Sequence, residues 1–504
     1  MQNDTAMLSD KKLAPEHLGR VLVLGLGKSG HDAVEYLKSQ IGCRVSSLSV
    51  FGGKQTAESD AFAAELRAAG AYVAFGEDAV PTLAKGAQGH FDLCIASPGI
   101  SEFSDLYQSA LAVSDEVISE VEFAWRESSR DSRWVAITGT NGKTTVTALT
   151  AQLLQSCGMN ASAVGNIGDT CIAAVAAGKT DVYVAEVSSY QLASTKHFAP
   201  NVAVLLNITP DHLHWHHTHE NYRDAKFKIL DNLSSVPGAI AVLDATNDEV
   251  RAKVRELAGN PDRGFAYVPM GTSDGIEGDM RKRCGSENAS FVSSDGALVV
   301  AIDGTEHTLV NEDDLLIKGR HNAGNALAAA AAAIALGGND ADVNAGLVAF
   351  KPLEHRNEPC GSVRGVTCYN DSKATNVDAT LKALAAFPRT RPIVLLGGDD
   401  KGTDLAPLVE AAHAHTRAVV CFGDARDRFV AAFEDAAATA PADFKLLTGD
   451  HLADSLDVAL NEAASGEVVL LSPACASFDE FNSFEHRGEV FKALVAERSA
   501  KHGA

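Results

Sequence analysis

The sequence predicts an α/β protein of three parallel-sheet domains, and three observations carry that prediction. Short β-branched runs alternate with Ala/Leu-rich stretches almost throughout, the pattern of parallel strands wrapped by helices. Glycine turns follow apolar runs directly, as in RVLVLGLGKSG and WVAITGTNGKTT. A chain of 504 residues is also too long for one ordinary core. Apolar content of 46% with 22% charged residues describes a soluble globular chain.

The first domain is read as residues 1–131, with 1–19 as an extension expected to be mobile. Residues 21–24 form a buried-strand run, and Gly25, Gly27 and Gly30 make G-x-G-x-x-G ahead of HDAVEYL, a Rossmann-like opening. A dinucleotide site needs an acid about 20 residues further on. The segment CRVSSLSVFGG has none, so no nicotinamide cofactor is expected. FDLCIASPGI adds another strand-to-loop segment, and the charged stretch RESSRDSR closes the domain.

The central domain, 132–353, is read as a P-loop ATPase-type parallel sheet. WVAI is its strand and TTVTALTAQLLQSCG its helix, with Val146, Leu149, Leu153 and Leu154 on one face and Gly158 ending the run. A Walker A loop reads G-x-x-x-x-G-K-[ST]. Here Gly142 is preceded by Gly139 only three positions earlier, so the loop is a compact variant. Its N–H groups converge where an anion would sit, Lys143 adds a point charge, and the Thr144 hydroxyl can reach a magnesium ion. VYVAEV ends in Glu186, followed by Ser188 and Ser189; VAVLLNI leads to Asp211 and His212; Lys226 lies on an expected helix. HLHWHHTH lacks the spacing of a zinc site. Asn322 and Asn325, after His321, stand one helical turn apart and can face a purine edge, although Asn322 also fits a helix N-cap. Residues 328–333 are all alanine and read as helix. The polar stretch 271–296 is expected to be a surface loop or hairpin insertion.

The third domain, 354–504, is read as Rossmann-like. Asp371, Lys373 and Thr375 in YNDSKATNVDATLKAL follow a short strand. Lys401 follows a Gly-Gly turn, and Ser477, Phe478 and Phe484 occupy the strand-to-helix loop of LLSPACASFDEFNSFEHRGEVF. Loops that follow parallel strands can converge on one crevice.

The string A-x-T-G-T-N-G-K-T resembles the nucleotide loop of the Mur ligase and folylpolyglutamate synthase superfamily, whose members use ATP to join an amine to a carboxylate. The resemblance covers most of the chain. It implies ATP held by Gly139, Thr140, Asn141, Gly142, Lys143, Thr144 and Thr145, with Asn322 and Asn325 at adenine and Asp371 at the ribose. Arg356 and Lys373 would reach the phosphates from the last domain, with domain closure around ATP. Two magnesium sites, with manganese as an alternative, would draw on Thr144, Glu186, His212 and a carbamylated Lys226. Lys143, His212 and Lys226 are the implied catalytic residues. D-S-K-A-T-N and S-P-A-C-A-S-x-D-x-F-x-x-F-E-x-R-G resemble the branch of that family that adds D-glutamate to UDP-N-acetylmuramoyl-L-alanine, and the D-N-P-R string of a sister branch is absent. Thr375, Lys401, Ser477, Phe478 and Phe484 would then hold D-glutamate. Leu26, Lys28, Ser29, Ser97, Pro98, Gly99, Asn166, Ser188, Gln191 and His212 would hold the UDP substrate. Where the family often has an Asp-Thr pair for uracil, this chain reads SSLSVFGG.

A formal charge of -23 opposes nucleic-acid or anionic-membrane partners. No run reaches the ~18 apolar residues of a membrane span. The opening MQNDTAMLSDKK lacks an export core, and nine scattered cysteines form no C-x-x-C pair. A cytoplasmic monomer is expected. Two other readings stay open: a related amide ligase with a different acceptor, and a non-catalytic nucleotide-binding regulator.

Overall fold

The computed structural model describes residues 11–53, 55–76, 78–86, 89–272, 279–387, 390–400 and 402–502. Its contacts separate one unit of Met1–Asp314 with Gly324–Ala349 from a second of Leu315–Ala323 with Phe350–Ala504.

The first unit holds two sheets. One is parallel, with β1 (Gly19–Leu24), β2 (Val45–Phe51), β3 (Tyr72–Ala74), β4 (Leu93–Ala96) and β5 (Val117–Ser119) in the order β3-β2-β1-β4-β5. The other runs through β6 (Arg133–Thr138), β7 (Ala161–Gly165), β8 (Val182–Glu186), β9 (Val202–Leu205), β10 (Ile240–Asp244) and β11 (Ala266–Gly271), then β12 (Ala289–Val292), β13 (Ala297–Ile302) and β14 (Thr305–Asn311). Its order is β14-β13-β12-β11-β10-β9-β6-β8-β7. All pairs are parallel except β12–β13 and β13–β14. The expected insertion at 271–296 thus supplies part of an antiparallel edge, while residues 273–278 lie outside the described set. Parallel strands are covered on both faces, and residues 21–24 of β1 and 134–137 of β6 are fully buried accordingly. The alanine run lies in the helix Arg320–Ala335, where Ala326 and Ala328 to Ala333 have no exposed surface.

The second unit carries β15 (Glu358–Val363), β16 (Val366–Asn370), β17 (Ile393–Gly397), β18 (Ala418–Phe422), β19 (Lys445–Thr448) and β20 (Val468–Leu471), ordered β15-β16-β20-β17-β18-β19. Only β15 is antiparallel to its neighbour.

The expected mobility of the N-terminal extension is corrected for residues 11–18, which form a tied strap. Lys11 is buried, and its ammonium donates to Ser128 Oγ at 2.7 Å, Ser128 O at 3.0 Å and Ser129 O at 2.9 Å. Ala14 N–H donates to Arg126 O, Arg44 donates to the carbonyls of Pro15 and Glu16, and Leu18 is 3% exposed. The polar composition concealed this because the anchors are main-chain carbonyls. Lys11→Ala is expected to lower the unfolding free energy by about 1–3 kcal/mol. Thermal melting checks it, and an unchanged midpoint would mean that the strap carries no stability.

Candidate active site

The compact loop lies where the strand order of the central sheet switches, beside β6, between the ends of β8 and β9. Ligands in such sheets bind beyond the carboxyl ends of strands at that point. Gly139 and Gly142 have φ of 154° and 87°, and a Cβ on Gly139 would stand 3.0 Å from Leu206 Cβ. A Cβ on Gly142 would stand 2.6 Å from Asn325 Oδ1, so Asn325 reaches the loop. Lys143 opens the helix Lys143–Ser156 and folds back, donating to Gly139 O at 3.0 Å and Thr140 O at 2.8 Å. Thr144 is half-buried next to it and Thr145 is buried.

The loop is strapped to the segment after β9. Thr140 N–H donates to Asn207 O at 2.7 Å and Asn141 N–H to Asn207 Oδ1 at 2.9 Å, while Asn207 Nδ2 donates to Asn141 O at 3.1 Å. Thr140 Oγ1 meets Tyr222 OH at 2.9 Å and accepts from Thr209 N–H at 3.0 Å. Sequence reasoning missed Asn207 and Tyr222. Asn207 stands directly after the strand run in LLNITPDH, and Tyr222 is one helical turn before Lys226. Asn207→Ala removes two bonds to Asn141 and is expected to raise the KM for ATP by ~10-fold, equivalent to about 1.4 kcal/mol of lost hydrogen bonding. Initial rates against ATP concentration read this directly.

Lys226 lies on the helix His219–Phe227, is 2% exposed, and donates to Gly139 O at 2.7 Å with its ammonium 4.7 Å from the Tyr222 ring centroid. Burial, then repulsion from Lys143, holds its amine well below the usual lysine range, while Asp211 and Glu186 pull the other way. Glu186, 2% exposed at the end of β8, accepts from Asn166 Nδ2 at 3.1 Å through Oε1, and its buried Oε2 has no hydrogen-bond partner among the described residues. His212 takes a positive φ of 55° and lies 3.6 Å from Asp211 Oδ2. His216 is fully buried against Ser189 Oγ at 2.9 Å, and burial lowers its pKa to about 4. Among the described residues no three His, Cys, Asp or Glu side chains form a ready cluster. An oxygen set of Glu186 and the Thr144 hydroxyl, completed by phosphate and water, suits magnesium, and the orphan Oε2 of Glu186 is the observation that fits it. A buried, desolvated amine likewise fits a carbamate-forming lysine.

In the first sheet the strand order switches between β1 and β4. Gly25 there has φ 98°, and Ser97 Oγ donates to its carbonyl at 3.0 Å. A Cβ on Gly30 would fall 1.9 Å from Gly25 O, so only glycine fits. Leu26 and Ser29 are half-buried, Lys28 is exposed and donates to Gly168 O at 2.6 Å, and Pro98 and Gly99 line the facing loop. Asn166 is exposed beyond β7. Ser188 and Gln191 form a reciprocal capping box on the helix Ser189–Ala193, so these two side chains are engaged with each other.

In the second unit the loops after β16, β20 and β17 are neighbours, as the three strings predicted. Asp371 is buried, accepting from Ser472 Oγ at 2.8 Å and Asn357 N–H at 3.2 Å, and burial pushes its carboxyl up to about 7. The Lys373 ammonium sits 3.6 Å from the Phe484 ring centroid. Thr375 and Arg356 are half-buried, and Arg356 lies between His355 and Asn357, both at positive φ. Ser477 is buried, whereas Phe478 is 70% exposed and turned to solvent. Lys401 lies outside the described residues. Asn322 sits inside the helix Arg320–Ala335, donating to Lys318 O at 2.9 Å, and is not its N-cap. Arg487, unmarked in the sequence reading although it falls within the third string, is fully buried. It donates to Ser372 Oγ and O and to the carbonyls of Cys475 and Ala476, joining the Asp371 and Ser477 loops. Its place one helical turn after Phe484 was the available signal.

Residues 137–333 match the family model described as Mur ligase middle domain, and residues 355–475 that of the Mur ligase glutamate ligase domain. The UDP-N-acetylmuramoylalanine–D-glutamate ligase of Thermoanaerobacter pseudethanolicus is 38% identical over 410 residues, covering 81% of this chain and 84% of its own. That of Salinibacter ruber is 37% identical over 485 residues, covering 94% and 97%. Among solved structures, the MurF ligase of Thermotoga maritima in complex with ADP aligns with a TM-score of 0.52 at 18% identity, over 98% of both chains. Mycobacterium tuberculosis folylpolyglutamate synthase complexed with ADP and AMPPCP aligns at 0.52 and 17% identity, over 71% of this chain and 91% of that one. These two show the shared fold. Matched sequence, three sheets and the compact lysine loop agree, and the chain belongs to the Mur ligase family, among its UDP-N-acetylmuramoylalanine–D-glutamate ligases.

Proposed function

We propose that this chain ligates D-glutamate to UDP-N-acetylmuramoyl-L-alanine at the expense of ATP, in the cytoplasm and as a monomer. The observation that carries the reading is the Gly139–Gly142 turn, with Lys143 folded over it and the desolvated Lys226 against its carbonyl. In the first step the L-alanyl carboxylate attacks the γ-phosphorus, giving an acyl phosphate and ADP. The D-glutamate amine then attacks the acyl carbon, and phosphate leaves. Both steps bring anions together, so charge neutralisation is the main task.

Lys143 and the loop N–H groups bind the outer phosphates. Asn325 beside Gly142 serves the adenine end with Asn322, while Asp371, Arg356 and Lys373 serve the ribose and phosphates. Magnesium held by Thr144, Glu186, His212 and carbamylated Lys226 would supply further positive charge for the phosphates. The β1/β4 loops with Lys28 and Ser97 hold the UDP moiety, with Asn166, Ser188 and Gln191 toward the alanyl end. Thr375, Ser477, Phe484 and Lys401 hold the acceptor, and Arg487 keeps its loops in register. The amine must lose a proton before attack, and His212 is the candidate base only in a state where its imidazole is not bound to magnesium. The division into domains 1–131, 132–353 and 354–504 belongs to the same reading. Phosphate release with ATP, magnesium and the UDP substrate tests it, adding D-glutamate, L-glutamate or meso-diaminopimelate in turn. Only D-glutamate is expected to yield product; product with another acceptor alone would overturn the assignment.

A further inference from the structure

The turn that follows β7 is gripped from two sides. Gly165 N–H donates to Asp169 O at 2.8 Å and closes it. On the side of the central sheet, Asn166 is tied twice to Glu186. Its main-chain N–H donates to Glu186 O at 3.0 Å and its Nδ2 to Oε1 at 3.1 Å. Gly165 takes φ 96°, and a Cβ there would stand 2.5 Å from Glu186 O, so the turn lies directly against the end of β8.

On the other side stand three side chains from helices that flank the first sheet. Lys28, opening the helix Lys28–Lys38, donates to Gly168 O at 2.6 Å. One helical turn further on, Asp32 Oδ2 accepts from Thr170 Oγ1 at 2.8 Å, while its Oδ1 lies 3.3 Å from His31 Nδ1. Glu120 opens the helix Glu120–Glu127, is 1% exposed, and accepts from Ile172 N–H at 2.6 Å through Oε1. The grips fall at residues 168, 170 and 172, so the segment is held along its length and cannot pivot about one contact. Thr170 is buried and caps the helix Cys171–Ala177 by accepting from Ala173 N–H at 3.3 Å. Its single hydroxyl proton therefore goes to Asp32.

Lys28 and Asn166 both belong to the proposed UDP site, and the 168–172 segment fixes one relative to the other. An ammonium has three donors, so Lys28 can keep Gly168 O and still reach a phosphate. Contacts set in place before a ligand arrives lower the cost of ordering them on binding. We infer that Asp32 and Glu120 are positioning residues for the UDP substrate, clamping the 168–172 segment so that Lys28 and Asn166 stand at the separation the substrate must span. This inference rests on the proposed ligation and adds residues that do not themselves touch the substrate.

Calorimetry with UDP-N-acetylmuramoyl-L-alanine on the full chain, without ATP or magnesium, tests it beside initial rates. Asp32→Ala is expected to raise the Kd and the KM for this substrate ~10-fold, the effect of one lost charge-assisted hydrogen bond. The KM for D-glutamate should stay within about twofold, because that acceptor is held by the second unit. Asp32→Asn keeps an acceptor for Thr170 and should recover most of the loss. In a Thr170→Val background Asp32→Ala should add nothing, as expected of two residues acting through one bond. Glu120→Ala should also weaken binding, and Glu120→Gln, still carrying a carbonyl oxygen for Ile172 N–H, should weaken it less. A merely structural role would lower turnover and leave every KM as in the parent. Parent affinity in Asp32→Ala, or Asp32→Asn as weak as Asp32→Ala, would overturn the clamp and leave the ligase reading standing. A parent protein that fails to bind the UDP substrate would overturn both.

Discussion

Lys143→Ala is expected to reduce turnover by at least ~10²–10³-fold, the typical cost of removing one preorganised contact at a charge-developing centre. The residue is well placed for so large an effect. Its ammonium is held by Gly139 O and Thr140 O at the start of the helix Lys143–Ser156, where the loop N–H groups also gather. Fold stability should barely change. The side chain is only half-buried, and the packing beneath it rests on Ile137, Val146 and Leu149, none of which has any exposed surface. Phosphate release measured beside a thermal melt separates the two effects. Turnover near that of the parent, with an intact melt, would remove the loop from the mechanism. A collapsed melt would instead show that the two carbonyl bonds hold the turn itself.

What could be read in advance follows from locality. β1, β6 and β17 were legible because strands covered on both faces must be nearly all apolar, and the turns after β1 and β6 because Gly25, Gly139 and Gly142 adopt φ values that other residues avoid. Loops after parallel strands were expected to converge, and Arg487 now shows what fastens two of them. Contacts that depend on which strands are neighbours were not legible. Asn207 meets Asn141 only because β9 lies beside β6, and no spacing within the chain encodes that pairing. Lys11 was hidden for a related reason, since its partners are mostly carbonyls more than a hundred positions away. Ser188 and Gln191 teach the converse. S-x-x-Q ahead of an apolar run is a capping-box pattern, and the box formed. A local structural reading was available there beside the ligand-binding one.

Lys226→Ala is the second large effect, with turnover expected to fall by ~10²–10³-fold or more if a charge contact at the phosphates is lost. A lysine with 2% exposure, one carbonyl acceptor in Gly139 and an aromatic ring beneath it has no carboxylate in ion-pair contact among the described residues, and Asp211 and Glu186 only partly offset its burial. Burial and Lys143 favour the neutral amine. A neutral amine would add carbon dioxide, forming an N–C bond and releasing one proton, and so become a buried anion. The position would then offer an oxygen ligand where an unmodified ammonium would repel a metal ion. Formate or acetate should partly restore the alanine variant by placing a carboxylate in the vacated space. A carbamate carbon signal should appear in the parent protein with ¹³C-bicarbonate and be missing from the variant. Full activity of Lys226→Ala without additive would sink this role. A missing carbamate signal in an active parent would sink the modification but leave the lysine, because a neutral amine donating to Gly139 O could still brace the loop that Lys143 depends on.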